Sequence, residues 1–138
     1  MFLRIFVLIL FVIAFVDADG VVEGGEVPMD KKSKEVKQFV EEIIKKYNNE
    51  ISDPNYYVPI EVLKATEQMV AGSLIRIKLR IGKSNCKKED VVTAHPKSCD
   101  TLYLTANCVA EDNGPTKEIN VEILLQPWMH AGYLYTFV

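Results

Sequence analysis

The chain is poor in the groups that carry metal, nucleophilic and nucleic-acid chemistry. It has 138 residues, of which 3 are cysteine, 2 are histidine and 1 is tryptophan. Its 16 Lys and Arg do not outnumber its 19 Asp and Glu, and the net charge is −3. Without a basic excess there is nothing to neutralise a phosphate backbone, which argues against nucleic acid as a partner. No Gly-rich phosphate loop follows a strand, and no Asn-x-Ser/Thr sequon occurs, so neither nucleotide binding nor N-glycosylation is expected. Cys86, His95, Cys99 and Cys108 could ligate zinc, but the gaps between them are 8, 3 and 8 residues. Structural zinc sites usually need a knuckle of two cysteines about 2–4 residues apart. A thiol nucleophile with His95 or His130 as base would sit in an irregular stretch of a small domain, where cysteines of secreted chains usually pair. The acidic residues are scattered over polar faces. The expectation is a non-enzyme without cofactor or metal.

What is present begins with a leader. Met1 to Arg4 is a short positive start, Ile5 to Val16 is an unbroken apolar run, and Val16-Asp17-Ala18 places small residues where a signal peptidase reads. The 12 apolar residues fall short of the roughly 20 that a spanning helix needs. Residues 1–18 therefore read as a signal peptide, and the mature chain as secreted and free of the membrane. Residues 19–138 have the size of one domain. Hydrophobic residues make up 49% and charged residues 25% of the chain, which excludes wholesale disorder. In an oxidising compartment Cys86, Cys99 and Cys108 should yield one bridge and one leftover thiol, with the pairing left open by the count alone.

Along the mature chain, residues 19–32 are Gly-rich and aperiodic and read as a flexible arm. Val36, Phe39, Val40, Ile43, Ile44 and Tyr47 then recur at helical spacing, with Lys34, Lys37, Glu41, Glu42, Lys45 and Lys46 opposite. This is one amphipathic helix, with Asn48-Asn49 and Pro54 as its stop signals. Strand alternation follows: Val58, Ile60 and Val62, then Ile75, Ile77, Leu79 and Ile81, forming a long hairpin whose tip is Gln68 to Gly72. The stretch from Gly82 to Pro115 is less regular, with a short strand expected at Thr101 to Thr105. Ile119, Val121, Ile123 and Leu125 alternate again, and Tyr133 to Val138 makes a final strand after a turn at Gln126 to Gly132. The pattern predicts an α+β fold: an antiparallel sheet of about four to five strands wrapped around one helix, whose stripe packs on Ile75, Ile77, Leu79, Ile119, Val121 and Ile123.

Three spots stand out against this frame: the arm at Val21 to Gly25, the tip Gln68 to Gly72, and Pro127-Trp128. Turns prefer Gly, Asn, Asp and Ser, yet one tip carries Met69 and Val70 and the other carries the only tryptophan. Either a partner covers these apolar groups, or Trp128 folds back on the rim and Ala71-Gly72 is merely a turn.

These residues resemble a known family. Gln68-Met69-Val70-Ala71-Gly72 matches the Gln-x-Val-x-Gly signature of cystatins, inhibitors of papain-like cysteine proteases. Pro127-Trp128 matches their second-hairpin Pro-Trp, and Gly24 matches the glycine of their N-terminal arm. The order of these motifs around one helix is similar to a secreted, type 2-like cystatin, and the cysteine pattern is similar to that of roundworm members. The resemblance implies reversible, competitive, tight-binding inhibition of cathepsin L-, B- or S-type proteases. The arm at Val22, Glu23 and Gly24, the tip residues Gln68, Met69, Val70, Ala71 and Gly72, and the pair Pro127 and Trp128 would enter the cleft. It also implies a bridge between Cys86 and Cys108 with Cys99 as the extra thiol, the alternative being Cys86 with Cys99. A second inhibitory site, for legumain, is not implied, because Ile51-Ser52-Asp53 carries Ser where the family places Asn. A monomer is expected, with a domain-swapped or Cys99-linked dimer as the alternative. The competing functional reading is a secreted, non-inhibitory binding module of the same fold with a host-defence or immunomodulatory role.

Overall fold

The computed structural model describes residues 24–90, 108–128 and 132–138. The expectations for the leader at 1–18, Val22, Glu23, His95, Cys99, the strand at 101–105 and His130 lie outside these residues.

Helix α1 spans Lys34–Glu50. Ser33 caps it, its Oγ accepting the backbone N–H of Val36 at 3.2 Å; such a cap contributes about 1 kcal/mol. Val36, Phe39, Val40, Ile43 and Ile44 form the buried stripe that the spacing predicts. The helix runs through Asn48 and Asn49 rather than stopping there. Asn48 is buried, and its side-chain amide donates to the carbonyl of Tyr57 at 2.9 Å while accepting from the Tyr57 N–H at 2.8 Å. The amide thus takes the place of a neighbouring strand and ties the last helical turn to the sheet. The chain turns extended at Ile51, and Lys88 Nζ donates to the carbonyls of Asn48 and Ile51 at 2.7 and 2.9 Å. A cation there complements the negative end of the helix dipole.

Five strands form one antiparallel sheet in sequence order: β1 (Glu26–Pro28), β2 (Asn55–Val70), β3 (Gly72–Lys87), β4 (Thr116–Leu125) and β5 (Tyr133–Phe137). On β3, Ile75, Ile77, Leu79 and Ile81 point at the helix, while Arg76, Lys78 and Arg80 point away from it, as period-two alternation requires. Val121 and Ile123 of β4 complete the core, with Ile119 partly buried beside them. The apolar contact between one helix stripe and one sheet face is what holds the layers together.

Two expectations are corrected. The alternation inferred for Val58, Ile60 and Val62 does not persist, because register shifts fall between Asn55 and Tyr57, Pro59 and Glu61, and Val62 and Lys64. Bulges reset which residues face inward. Tyr57 and Val58 are both buried, whereas Ile60 is half-exposed and lies across Gly82, where an added Cβ would meet Ile60 Cδ1 at 2.7 Å. Nor is all of residues 19–32 an unpaired arm. Glu26–Pro28 pairs with Thr66–Gln68, and Met29 N–H donates to the Ala65 carbonyl at 2.9 Å. A three-residue strand is too short for periodicity to reveal.

Beyond the β3–β4 ladder, Ser84 pairs with Ala110, and Cys86 is joined to Cys108 with their Cα atoms 5.6 Å apart. That bond removes Cys86 and Cys108 from the imagined zinc set.

Candidate functional site at one end of the sheet

Antiparallel register decides which ends of the strands come together. Glu26 faces Gln68, Val70 faces Gly72, and Ser73 faces Leu125. The residues before Glu26, the turn between β2 and β3 and the segment after Leu125 therefore leave the sheet from the same end. Gly24, Gln68 to Gly72 and Pro127-Trp128, separated widely in sequence, lie there in strand order.

The first hairpin is tight and braced. Ala71 is the only residue between β2 and β3. Ser73 Oγ donates to Glu67 Oε1 at 2.7 Å, a diagonal bond across the ladder just behind the tip. Gly72 has φ +110°, and a Cβ there would lie 2.1 Å from the carbonyl oxygen of Leu125. Its missing side chain lets the start of β3 press against the end of β4, so one glycine seats the first tip beside the second. Gly24 differs: its φ is +93°, but a Cβ there would meet nothing within 4 Å. Its backbone conformation favours glycine, while internal packing leaves the position open.

The surface this end presents is apolar and uncovered. Met69 is 64% exposed, Val70 44% and Trp128 60%. None of the residues Gly24, Gln68 to Gly72, Pro127 and Trp128 carries an acid, a base or a nucleophile, so the arrangement can occlude and adhere but supplies no bond-making group. Among the described residues no group of three or more His, Cys, Asp or Glu is placed to hold a metal ion, and no helix is long and apolar enough to cross a membrane.

Behind the tips lies a polar network that the motifs do not announce. Gln68 Nε2 donates to the carbonyl of Gly24 at 2.6 Å, and Gln68 Oε1 accepts from Arg76 NH1 at 2.7 Å. Arg76 NH1 also donates to Glu26 Oε1, and its Nε donates to Glu122 Oε1 at 3.3 Å. One guanidinium on β3 thereby reaches β1, β2 and β4. In the sequence Arg76 is only one polar residue of an alternating strand; the register alone brings it beside Gln68.

The Asp53 carboxylate sits at the opposite end of β2, in the segment where the family resemblance looks for a second inhibitory site. It accepts from the Asn55 N–H at 2.9 Å and lies 3.4 Å from Lys83 Nζ. That backbone donor is the main cause holding its pKa below the ordinary carboxylate value; burial opposes it, and Lys83 and the Tyr57 hydroxyl add further lowering.

Comparison with known proteins assigns the class. The Cystatin domain family profile matches residues 24–128, and the chain belongs to the cystatin family, whose members are in general cysteine protease inhibitors rather than enzymes. Onchocystatin of Onchocerca volvulus is 29% identical over 105 residues, 76% of this chain and 59% of that protein. Cystatin-D of Mus musculus is 35% identical over 74 residues, 54% of this chain and 50% of that protein. Cystatin cpi-1 of Caenorhabditis elegans is 32% identical over 81 residues, 59% of this chain and 54% of that protein. The chain thus spans between half and three-fifths of the length of these curated relatives. Among solved structures, Al-CPI superposes with TM-score 0.66 at 23% identity, covering 82% of this chain and 94% of that one. Dimeric human cystatin F superposes with TM-score 0.57 at 19% identity, covering 86% and 91%. These two likenesses establish the fold.

Proposed function

We propose that this chain is a reversible, competitive inhibitor of papain-like cysteine proteases of the cathepsin L, B or S type. It plugs the active-site cleft with Val22, Glu23 and Gly24 of the arm, Gln68 to Gly72 of the first hairpin, and Pro127-Trp128 of the second. The observation that carries this reading is the alignment of exposed Met69, Val70 and Trp128 at the end of the sheet from which Gly24 departs. A rigid apolar edge loses little freedom on docking, so most of its contact energy appears as affinity. Trp128 is the expected hot spot, being large, stiff and uncovered until a partner buries it. Gly24, with nothing of this chain within reach of an added Cβ, allows close backbone approach to an enzyme wall, while Gly72 seats the first tip against β4. Because the edge contributes no reacting group, the complex forms and dissociates without covalent change, and no cofactor takes part.

The same reading has residues 1–18 removed as a signal peptide, the mature chain secreted, and one monomer blocking one protease. Titration of active-site-counted papain with the purified mature chain tests it. Stoichiometric loss of turnover, reversed by dilution and relieved by substrate, is expected. Undiminished turnover at micromolar protein would overturn it and favour the non-inhibitory binding module.

A further inference from the structure

The Gln68 amide has two chemically different ends, and both are used. Its NH2 group donates to the Gly24 carbonyl at 2.6 Å, and its oxygen accepts from Arg76 NH1 at 2.7 Å. An amide meets both demands at this reach, whereas a carboxylate cannot donate to a carbonyl and an ammonium cannot accept from a guanidinium. The remaining contacts of Arg76 run to Glu26, two residues along the chain from Gly24, and to Glu122 at 3.3 Å on β4. Glu26 and Gln68 are also register partners. The first strand has only three residues, and Pro28 among them has no N–H to give the ladder. So short a strand offers Gly24 and Gly25 little backbone support, and the side-chain relay supplies contacts that the backbone lacks.

We propose that Arg76 is a positioning residue for inhibition: through Gln68 and Glu26 it fixes Gly24 and the start of β1 against the first hairpin, presenting the arm in its docking direction. The inference rests on the inhibitor reading above for its consequence, though the relay itself concerns the free protein. It gives Gln68 a role inside the inhibitor, as the link between arm and sheet. Three acceptors arranged around one planar guanidinium also make lysine an inadequate substitute, because an ammonium lacks the fork that reaches Glu26, Gln68 and Glu122 together. An arm held in advance lowers the ordering cost paid on docking, and its loss appears mainly as faster dissociation.

The test uses the full mature chain and three variants, Arg76→Met, Arg76→Lys and Gln68→Glu. Arg76 lies on the solvent side of the sheet with its side chain 35% exposed, so a methionine of similar length leaves the core untouched. Two quantities are read: backbone order of Gly24 and Gly25 in the free protein by 15N relaxation with amide exchange at Met29, and the dissociation rate from papain. In all three variants Gly24 and Gly25 become mobile, Met29 exchanges faster, and dissociation accelerates by about tenfold, the size of one lost ordered contact. The amides of β3 and β4 near Leu79 and Val121 keep their protection, which a general loosening of the fold would not allow. Unchanged order at Gly24 in Arg76→Met and Gln68→Glu would overturn the relay. Arm mobility with an unchanged dissociation rate would overturn its role in inhibition. A wild-type chain that fails to inhibit papain at all would sink the inhibitor reading, while the relaxation data would still decide whether the relay exists.

Discussion

Gly72 and Gly24 belong to the same apparent motif set, yet they are glycines for different reasons. Gly72 combines φ +110° with a carbonyl oxygen where its Cβ would be, whereas Gly24 has the positive φ and open space. Gly72→Ala forces both backbone strain, which costs about 1–3 kcal/mol at such positions, and separation of the two hairpins. It is expected to lower the urea midpoint and weaken papain binding together. Gly24→Ala meets only the strain, at a site outside the core, and should shift the midpoint far less. Equal midpoints for the two variants would contradict the close approach of Gly72 to Leu125. Asp53 gives the residue scale its pH dependence. Its folded pKa lies below the unfolded value, chiefly because of the Asn55 N–H and then Lys83. Its contribution to stability is therefore complete above the ordinary carboxylate range and is lost as pH falls through the depressed folded value. Asp53→Asn should lower stability at pH 7 and flatten the acid limb of the stability curve below the ordinary carboxylate range, measured by urea unfolding as the pH is lowered from neutral. An acid limb as steep as in the wild type would remove Asp53 from that role.

At the scale of elements, legibility tracks periodicity. α1 and β3 each repeat a signal over several turns or pairs, so one stripe from Val36 to Ile44 and one alternation from Ile75 to Ile81 were enough to find them and their buried faces. β1 has too few residues to repeat anything, and the bulges of β2 break the alternation that would put Ile60 on the same face as buried Val58. Asn48 misled for a related reason: asparagine commonly ends helices, and only the neighbouring Tyr57 backbone reveals why this one continues. The candidate tips were legible because they violate turn chemistry, while Arg76 was not, since its partners lie on three other strands. The cysteine count likewise left the pairing open, and β3 supplies the geometry. Asn85 N–H donates to the Val109 carbonyl and Glu111 N–H to the Lys83 carbonyl, at 3.2 and 2.9 Å, so residues 109–111 run beside the end of β3 and bring Cys108 to Cys86. A bridge closing a loop of 22 residues' separation stabilises by about 3 kcal/mol through the unfolded chain. The double variant Cys86→Ala, Cys108→Ala should lose that amount in urea unfolding. Its inhibition of papain should stay close to wild type, because the bridge lies at the end of β3 remote from Gly72. Loss of inhibition in a still-folded double variant would mean that the two ends of the sheet are coupled.

For the whole molecule, the separation of stability from affinity is the sharpest expectation. The core is the α1 stripe against β2, β3 and β4, and it is complete without any residue of the tips. Trp128 is 60% exposed and Met69 64%, so neither contributes much to folding, and in the proposed function each is covered by the protease. An indole that becomes fully buried in a partner's cleft typically costs about 2 kcal/mol or more of binding when truncated, while removal of an exposed side chain shifts folding stability by about 0.5 kcal/mol at most. Trp128→Ala is therefore expected to raise the papain inhibition constant by about 30-fold or more, with an unchanged thermal midpoint. The two measurements together discriminate between readings of the same residue. A Trp128 that folds back onto the rim would lower the midpoint and leave inhibition nearly intact. A docking Trp128 does the reverse, and a variant in which neither quantity moves would take the second hairpin out of the binding edge altogether.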